Sequence, residues 1–340
     1  MKSAEAASSF RQFRAGRADN KDLQEFPLAG LPTPRSWTRC PVCGLSMKKS
    51  IGLLFLLQTA SVLLGQGWRG GWGGGEHWRP EYETCQTARE VPSHSMDTPT
   101  WTNAPGLDRD VFTFVRIRRD RASYGSRSAG SWWTDFPDSD LNLSWRLQQM
   151  TSMKVDPNGR VIRLTDKALF DYPWIYMVEP GRLLLRDEEV PILREYLLNG
   201  GVLMADDFWG ERQWDGFARE MKRVFPDRDF QELPMDHPIF HCVFDIKGPK
   251  NALQIPNYWT GINSEDTHVT WERHDGEECT EVHIRALFDD RQRLMIIACH
   301  NTDDGDGWER EGENDYFFHE FSEKRAYPLA VNIFFYIMTH

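Results

Sequence analysis

The residues of this chain best suited to chemistry are two consecutive carboxylates, Asp206 and Asp207, with an indole close behind them at Trp209. Paired carboxylates can ligate a metal ion or divide the acid and base roles of a hydrolysis. Because neighbouring carboxylates repel one another, a cation or a shared proton must hold them together. We therefore expect Asp206 and Asp207 to form the centre of any site.

Other side chains of the right chemical type are expected to join this pair. Asp135 lies in the segment W-W-T-D-F-P-D, and His237 precedes Pro238, which keeps its backbone extended. The candidate catalytic residues are Asp206, Asp207 and His237. The candidate ligand-binding residues are Trp133, Asp135, Asp207 and Trp209. The candidate metal ligands are Asp207 and His237.

A structural role for the same residues is the alternative. One of the two carboxylates would then cap the following turn, and the other would form a salt bridge with a nearby arginine. Adjacent residues at a strand end point to opposite faces of a sheet, which makes it hard for both to face one site. His237 serves a core contact as readily as a site.

The segment from residue 171 to residue 209 must position the carboxylates. It contains a short apolar run at Trp174–Val178, an amphipathic stretch over 187–198, the pair Gly200-Gly201 and a second apolar run at 202–205. This order predicts a strand, a helix, a glycine turn and a parallel strand. Asp206 and Asp207 then lie at the carboxyl end of a buried strand, where open α/β sheets bind their ligands.

Further elements are predicted on both sides of this unit. We expect strands at 111–117, 281–288 and 293–299. Helices are expected at 138–150, 214–225 and 329–338, where apolar residues recur at helical spacing. Residues 301–307 are like a calcium loop in composition but lack its full spacing and a properly placed Glu, so we expect the acidic segment 303–313 to be a solvated loop.

The amino-terminal part of the chain differs from the rest. Lys48-Lys49 precede a short apolar run over 51–64, a pattern typical of a secretory signal peptide and too short for a membrane span. The predicted layout is an upstream extension or disordered segment over 1–46, a signal peptide over 47–66, a Gly- and Trp-rich linker over 67–109 and an α/β domain over 110–340.

Charge and cysteine content narrow the function. Residues 1–66 hold nine Lys/Arg and four Asp/Glu, so the net charge of −11 becomes −16 for the remainder. An acidic protein of this kind is not expected to bind nucleic acid. The layout predicts a periplasmic or secreted protein that meets the membrane only through its signal peptide. Four cysteines outside the extension permit disulfides without fixing their pairing: Cys85, Cys242, Cys279 and Cys299.

Three segments carry a resemblance to a known family. D-Y-P-W-I-Y-M through G-G-V-L-M-A-D-D, W-T-D-F-P-D-S-D-L-N-L before it and M-D-H-P-I-F after it are similar to an uncharacterised bacterial family of domains of unknown function, DUF4159-like. Such domains resemble the class I glutamine amidotransferase-like fold and its trehalose-utilisation proteins. The resemblance implies a flavodoxin-like three-layer sandwich with a mainly parallel sheet.

The resemblance leaves the activity open. In glutamine amidotransferases a cysteine nucleophile stands on a tight turn after a strand, and here Ala205-Asp206-Asp207-Phe208 occupies that place. Glutaminase chemistry is therefore not expected. There is also no G-x-S-x-G elbow, no Walker A loop and no H-E-x-x-H.

Three hypotheses follow. The first is an exported domain that binds a ligand or partner, such as a carbohydrate or an envelope protein. The second is a metal-assisted hydrolase that uses Asp206, Asp207 and His237. The third is a scaffold within an envelope complex, which the Trp-rich arm would suit. No motif indicates which cofactor, if any, the domain takes.

Overall fold

The computed structural model describes residues 79–95, 97–104, 106, 111–119 and 131–340. The predicted extension, the predicted signal peptide and residues 67–78 lie outside these ranges. Among the described residues, no helix has both the length and the apolar character needed to span a bilayer.

A seven-stranded sheet forms the centre of the domain. Its strands and those of a separate two-stranded hairpin, numbered along the chain, are β1 Val115–Ile117, β2 Arg160–Ile162, β3 Trp174–Val178, β4 Val202–Phe208, β5 Gln231–Glu232, β6 Arg273–His274, β7 Glu277–Glu278, β8 His283–Phe288 and β9 Leu294–His300. The order in the large sheet is β2-β1-β3-β4-β9-β8-β5, and β6 pairs with β7.

Five strands of this sheet are parallel, from β2 across to β9. Strands β8 and β5 extend it in antiparallel fashion. The parallel part has the order 2-1-3-4-5 when its strands are counted along the chain, which is the flavodoxin-like order. The predicted fold class is confirmed.

Helices cover both faces of the sheet. They are α1 Asp138–Met150, α2 Glu189–Leu198, α3 Gly210–Val224, α4 Tyr258–Thr267, α5 Asp304–Glu309 and α6 Tyr327–Thr339, the last preceded by a π-helix at Phe318–Ala326. Side chains of α1 and α6 share one apolar core with the sheet, and side chains of α2 and α3 share another. The result is a three-layer α/β sandwich.

The predicted strand–helix–strand unit is present. Trp174 pairs with Val202 and Val178 with Asp206, in parallel, so β3 and β4 end at the same edge of the sheet. Helix α2 starts two residues later than expected, and Gly200 has the positive φ of 113° that ends a helix. We call the edge where β3, β4 and β9 end the carboxyl edge, and the opposite one the amino edge.

Strand β4 contains a bulge at its carboxyl end. Ala205 pairs with Ala298 and Phe208 with His300, so β4 has one residue more than β9 between these pairs. Asp207 has a φ of 53° within this bulge. A bulge re-aims the side chains that follow it. Here Ala205 and Phe208 both pack in the core beneath α2 and α3.

Residues that were predicted to form a linker pack against the domain. Tyr82 is buried between Trp132, Trp133 and Phe136, with ring centroids 5.7 to 6.0 Å apart. Arg89 donates to the carbonyl oxygen of Pro157 at 3.0 Å. Apolar burial and hydrogen bonds of this kind hold residues 79–95 in place. Of the predicted linker, residues 67–78, 96, 105 and 107–109 lie outside the described residues.

The acidic segment 303–313 was predicted to be a solvated loop, and this prediction was wrong. It begins with helix α5, and all six residues of that helix are buried. The helix lies against α1 and β4, so its carboxylates cannot be solvated. The carboxyl-terminal helix was expected at 329–338 and starts slightly earlier, at Tyr327.

Candidate metal centre

Five buried carboxylates meet at the carboxyl edge, and we call them the acidic cluster: Asp135, Asp206, Asp207, Asp303 and Asp304. Asp135 precedes α1, Asp206 and Asp207 end β4, and Asp303 and Asp304 follow β9. Strands β4 and β9 are neighbours in the sheet, so parallel pairing brings their two Asp–Asp pairs together.

Asp135, Asp207 and Asp303 form the first group of the acidic cluster. One carboxylate oxygen from each lies within 4.8 Å of the others. These side chains retain slight exposure, 3% for Asp135, 8% for Asp207 and 4% for Asp303. Three convergent oxygens with a little solvent access are what a small hard cation requires.

Asp206 and Asp304 form the second group together with the Cys299 thiol, again within 4.8 Å of one another. All three side chains are fully buried. Asp206 Oδ2 accepts hydrogen bonds from the Tyr176 hydroxyl at 2.9 Å and from the Gly305 backbone N–H at 3.0 Å. Asp206 Oδ1 and both oxygens of Asp304 accept from no N–H or O–H group among the described residues.

The arginines near the acidic cluster form salt bridges with other carboxylates. Arg116 is fully buried and forms a salt bridge of 2.6 Å with Asp140. Arg310 pairs with Glu309 at 2.6 Å and with Asp306 at 3.5 Å. Within the described part of the chain, no lysine or arginine forms a salt bridge with Asp206, Asp207, Asp303 or Asp304. Their charges therefore lack a described cationic partner.

The electrostatic consequence is a set of raised acid pKa values. Burial raises the pKa of Asp206 to about 6, although the hydrogen bond from Tyr176 partly offsets the shift. Burial also raises the pKa of Asp207 well above its ordinary value, and the charges of Glu179 and Asp135 raise it further. The pKa of Asp303 and that of Asp304 are likewise raised by burial and by neighbouring carboxylates.

Trp209 orients one carboxylate of the cluster. Its indole Nε1 donates to Asp207 Oδ1 at 2.9 Å. The indole ring stacks on His274 with centroids 5.8 Å apart, and His274 in turn bonds Glu272 at 2.7 Å. Asp207 is thus held by a chain of contacts that reaches the β6–β7 hairpin.

Several backbones at this edge are in the left-handed region. Glu179 follows β3 with a φ of 45°, Asn301 follows β9 with 61°, and Asp135 has 62°. Asp207 is the fourth residue of this kind. Non-glycine residues with positive φ cost free energy and cluster at functional sites.

The structure separates His237 from the residues it was grouped with. His237 lies 5.3 Å from the Tyr336 ring and 6.4 Å from the Phe288 ring, measured between centroids. Phe288 pairs with Leu294, the first residue of β9, so His237 lies toward the amino edge. His237 therefore lies outside the acidic cluster and does not join it as a catalytic residue or as a metal ligand. A cleft of about 680 Å³ also opens at the amino edge.

The other sequence candidates divide between two roles. Asp135, Asp207 and Trp209 come together, whereas Asp206 lies in the neighbouring group with Cys299 and Asp304. Trp133 instead stacks on Tyr82 and helps to fix the amino-terminal segment.

Sequence reasoning missed Asp303 and Asp304 as site residues and did not consider Tyr176. The available signal was a second Asp–Asp pair three residues beyond the end of an apolar strand. The four cysteines outside the predicted extension are free, so none of them forms a disulfide.

The fold and the cluster define a flavodoxin-like α/β domain with a carboxylate-rich site at the carboxyl ends of its strands. Residues 113–338 match the family described as Domain of unknown function, DUF4159, and the chain belongs to that family. No curated protein matches the chain.

Proposed function

We propose that this domain binds a hard divalent cation at the acidic cluster and that the cation is its functional centre. The observation that carries the proposal is the convergence of Asp135, Asp207 and Asp303, three buried carboxylates with one oxygen each within 4.8 Å of the others. Buried carboxylates this close repel one another, and a cation between them offsets that cost in free energy.

Asp135, Asp207 and Asp303 are the ligands proposed for this ion. Carboxylate oxygens suit Mg²⁺, Ca²⁺ and Mn²⁺. The slight exposure of the three side chains gives an ion access that the Asp206 side lacks. Trp209 fixes the orientation of Asp207, in the way that outer partners support metal ligands.

A cation held by three carboxylates keeps coordination positions for an outside ligand. The domain would then capture an oxygen-rich ligand or a partner's acidic group through the ion. Carbohydrates and envelope proteins remain the proposed partners. The arrangement does not favour the hydrolase alternative, because His237 lies away from the carboxylates.

Calorimetric titration of the chelator-treated full chain with Mg²⁺, Ca²⁺ and Mn²⁺ tests the proposal. We expect saturable binding of at least one ion and a rise in Tm. Asp303→Asn should abolish both effects, whereas Asp275→Asn, which alters a carboxylate in a surface salt bridge with Arg212, should preserve them. Equal ion responses from the two variants, or no response in the parent protein, would refute the site.

The relation to the glutamine amidotransferase-like fold is part of the same proposal. The flavodoxin-like strand order and the site at the carboxyl edge support it. Asp206 and Asp207 replace the nucleophile turn, so binding rather than thioester chemistry is proposed.

Export is proposed from the pattern of residues 47–66. Amino-terminal sequencing of periplasmic or secreted protein should give a start near Gly67. Full-length protein retained inside the cell would count against export.

A further inference from the structure

The two Asp–Asp pairs are divided between the two groups of the acidic cluster. Asp207 and Asp303 belong to the group that contains Asp135, whereas Asp206 and Asp304 belong to the group that contains Cys299. Each pair thus gives one carboxylate to each group. An arrangement of this kind places two separate sets of ligand atoms side by side on β4 and at the start of α5.

The second group differs from the first in chemistry and in access. It combines two carboxylates with a thiol, and all three side chains are fully buried. Asp206 Oδ1 and both Asp304 oxygens accept from no N–H or O–H group among the described residues, and the Cys299 thiol is the polar group beside Asp304. Like-charged carboxylates this close and this dry require a positive species between them.

We propose that Asp206, Cys299 and Asp304 hold a second metal ion, of the borderline class that accepts both thiolate and carboxylate. Zn²⁺, Co²⁺ and Fe²⁺ belong to this class, whereas Mg²⁺ and Ca²⁺ avoid sulfur. This inference rests on the proposed function, because both proposed sites take carboxylate ligands from the same two Asp–Asp pairs. It assigns a different ion to the second group.

The surroundings support a closed structural or bridging site. The Tyr176 hydroxyl and the Gly305 N–H fix the orientation of Asp206 through its other oxygen. Because the site is sealed, the ion enters as the chain folds and exchanges slowly afterwards.

Full-length protein produced in cells grown with Co²⁺ provides the test. We expect about one tightly held Co²⁺ per chain, with a thiolate-to-cobalt charge-transfer band in the near ultraviolet. Cys299→Ser should lose the band. The matched control Cys242→Ser should keep it, because Cys242 lies against the Asn332 carbonyl in another part of the fold. Circular dichroism verifies that both variants are folded.

A second variant separates this proposal from the first. Asp135→Asn should weaken Mg²⁺ or Mn²⁺ binding and leave the charge-transfer band intact. A band without hard-cation binding would support the second site and overturn the first. The opposite result is hard-cation binding without a band, together with an infrared carbonyl stretch of a protonated carboxyl that Asp304→Asn removes. That result would show a shared proton in the second group and would overturn the second metal ion.

Discussion

The Asp135 carboxylate lies directly over Gly305. A methyl group added to Gly305 would come within 2.1 Å of Asp135 Oδ2, and within 3.1 Å of the Tyr176 hydroxyl. Glycine at this position therefore allows the start of α5 to approach Asp135. The contact also explains how carboxylates from α5 and from the segment before α1 reach the same site.

Gly305→Ala is expected to displace Asp135 and to weaken hard-cation binding by about tenfold or more, with about 1–3 kcal/mol lost in the free energy of unfolding. Gly307→Ala is the matched control, because its methyl group would meet Ala326 Cβ at 2.5 Å instead. Titration calorimetry and chemical denaturation measure the two effects. Equal loss of affinity in both variants would contradict a specific role for Gly305.

Trp209→Phe is expected to reduce cation affinity by about tenfold, since it removes the donor that orients Asp207. The ring is largely kept, so the fold should persist. Trp174→Phe serves as the control, because the Trp174 indole is fully buried and its nitrogen has no hydrogen-bond partner among the described residues. A Trp209→Phe protein with parental affinity would rule out this orienting role.

The stability of the metal-free protein should fall as the pH rises. The folded-state pKa of Asp206 is raised to about 6 from an ordinary value of 3.8, so the fold favours the protonated acid. Its contribution to stability is complete below about pH 4 and is lost as the pH passes through about 6. Asp207, Asp303 and Asp304 have pKa values raised in the same direction and extend the loss to higher pH.

Thermal melts from pH 5 to pH 8, with chelator and with Mg²⁺, check this expectation. The Tm with chelator should decrease with pH, and Mg²⁺ should recover more of it at pH 8 than at pH 5. At a concentration 100 times Kd the ion contributes about 2.7 kcal/mol. Asp304→Asn should raise the Tm of the chelated protein at pH 8. A flat pH profile would show that the carboxylates are already neutralised within the protein.

His300 should remain neutral across the physiological range. Burial lowers its pKa to about 3, and its ring nitrogens bond the Gly210 carbonyl at 3.1 Å and Arg285 at 3.2 Å. Because the folded pKa of His300 is below the ordinary 6.5, its contribution to stability is complete above pH 6.5 and is lost as the pH falls toward 3. Between pH 5 and pH 6.5 it opposes the larger trend set by the four carboxylates with raised pKa values.

Histidine NMR titration measures this directly. The His300 resonance should not shift between pH 5 and pH 8. His241 is the internal comparison, because bonds to the Met235 carbonyl and to Asp245 raise its pKa above the usual value. A His300 midpoint near that of an exposed histidine would contradict the buried, neutral state.

The sequence by itself determined the central architecture. Apolar runs of strand length around an amphipathic helix and a glycine pair give β3, α2 and β4, because local periodicity and turn chemistry decide them. The same pattern placed Asp206 and Asp207 at the carboxyl edge. The family match over residues 113–338 agrees with the segments that carried the resemblance.

Only the tertiary structure decided which carboxylates share a site. The bulge at Asp207 could not be predicted from the sequence, because no glycine lies within it and it depends on the pairing of β4 with β9. The burial of Asp303 and Asp304 follows from α1 packing over an acidic segment that local composition predicts to be solvated. His237 lies near neither Asp–Asp pair. The edge of the sheet that a segment reaches depends on contacts between residues far apart in the chain, and local sequence does not determine those contacts.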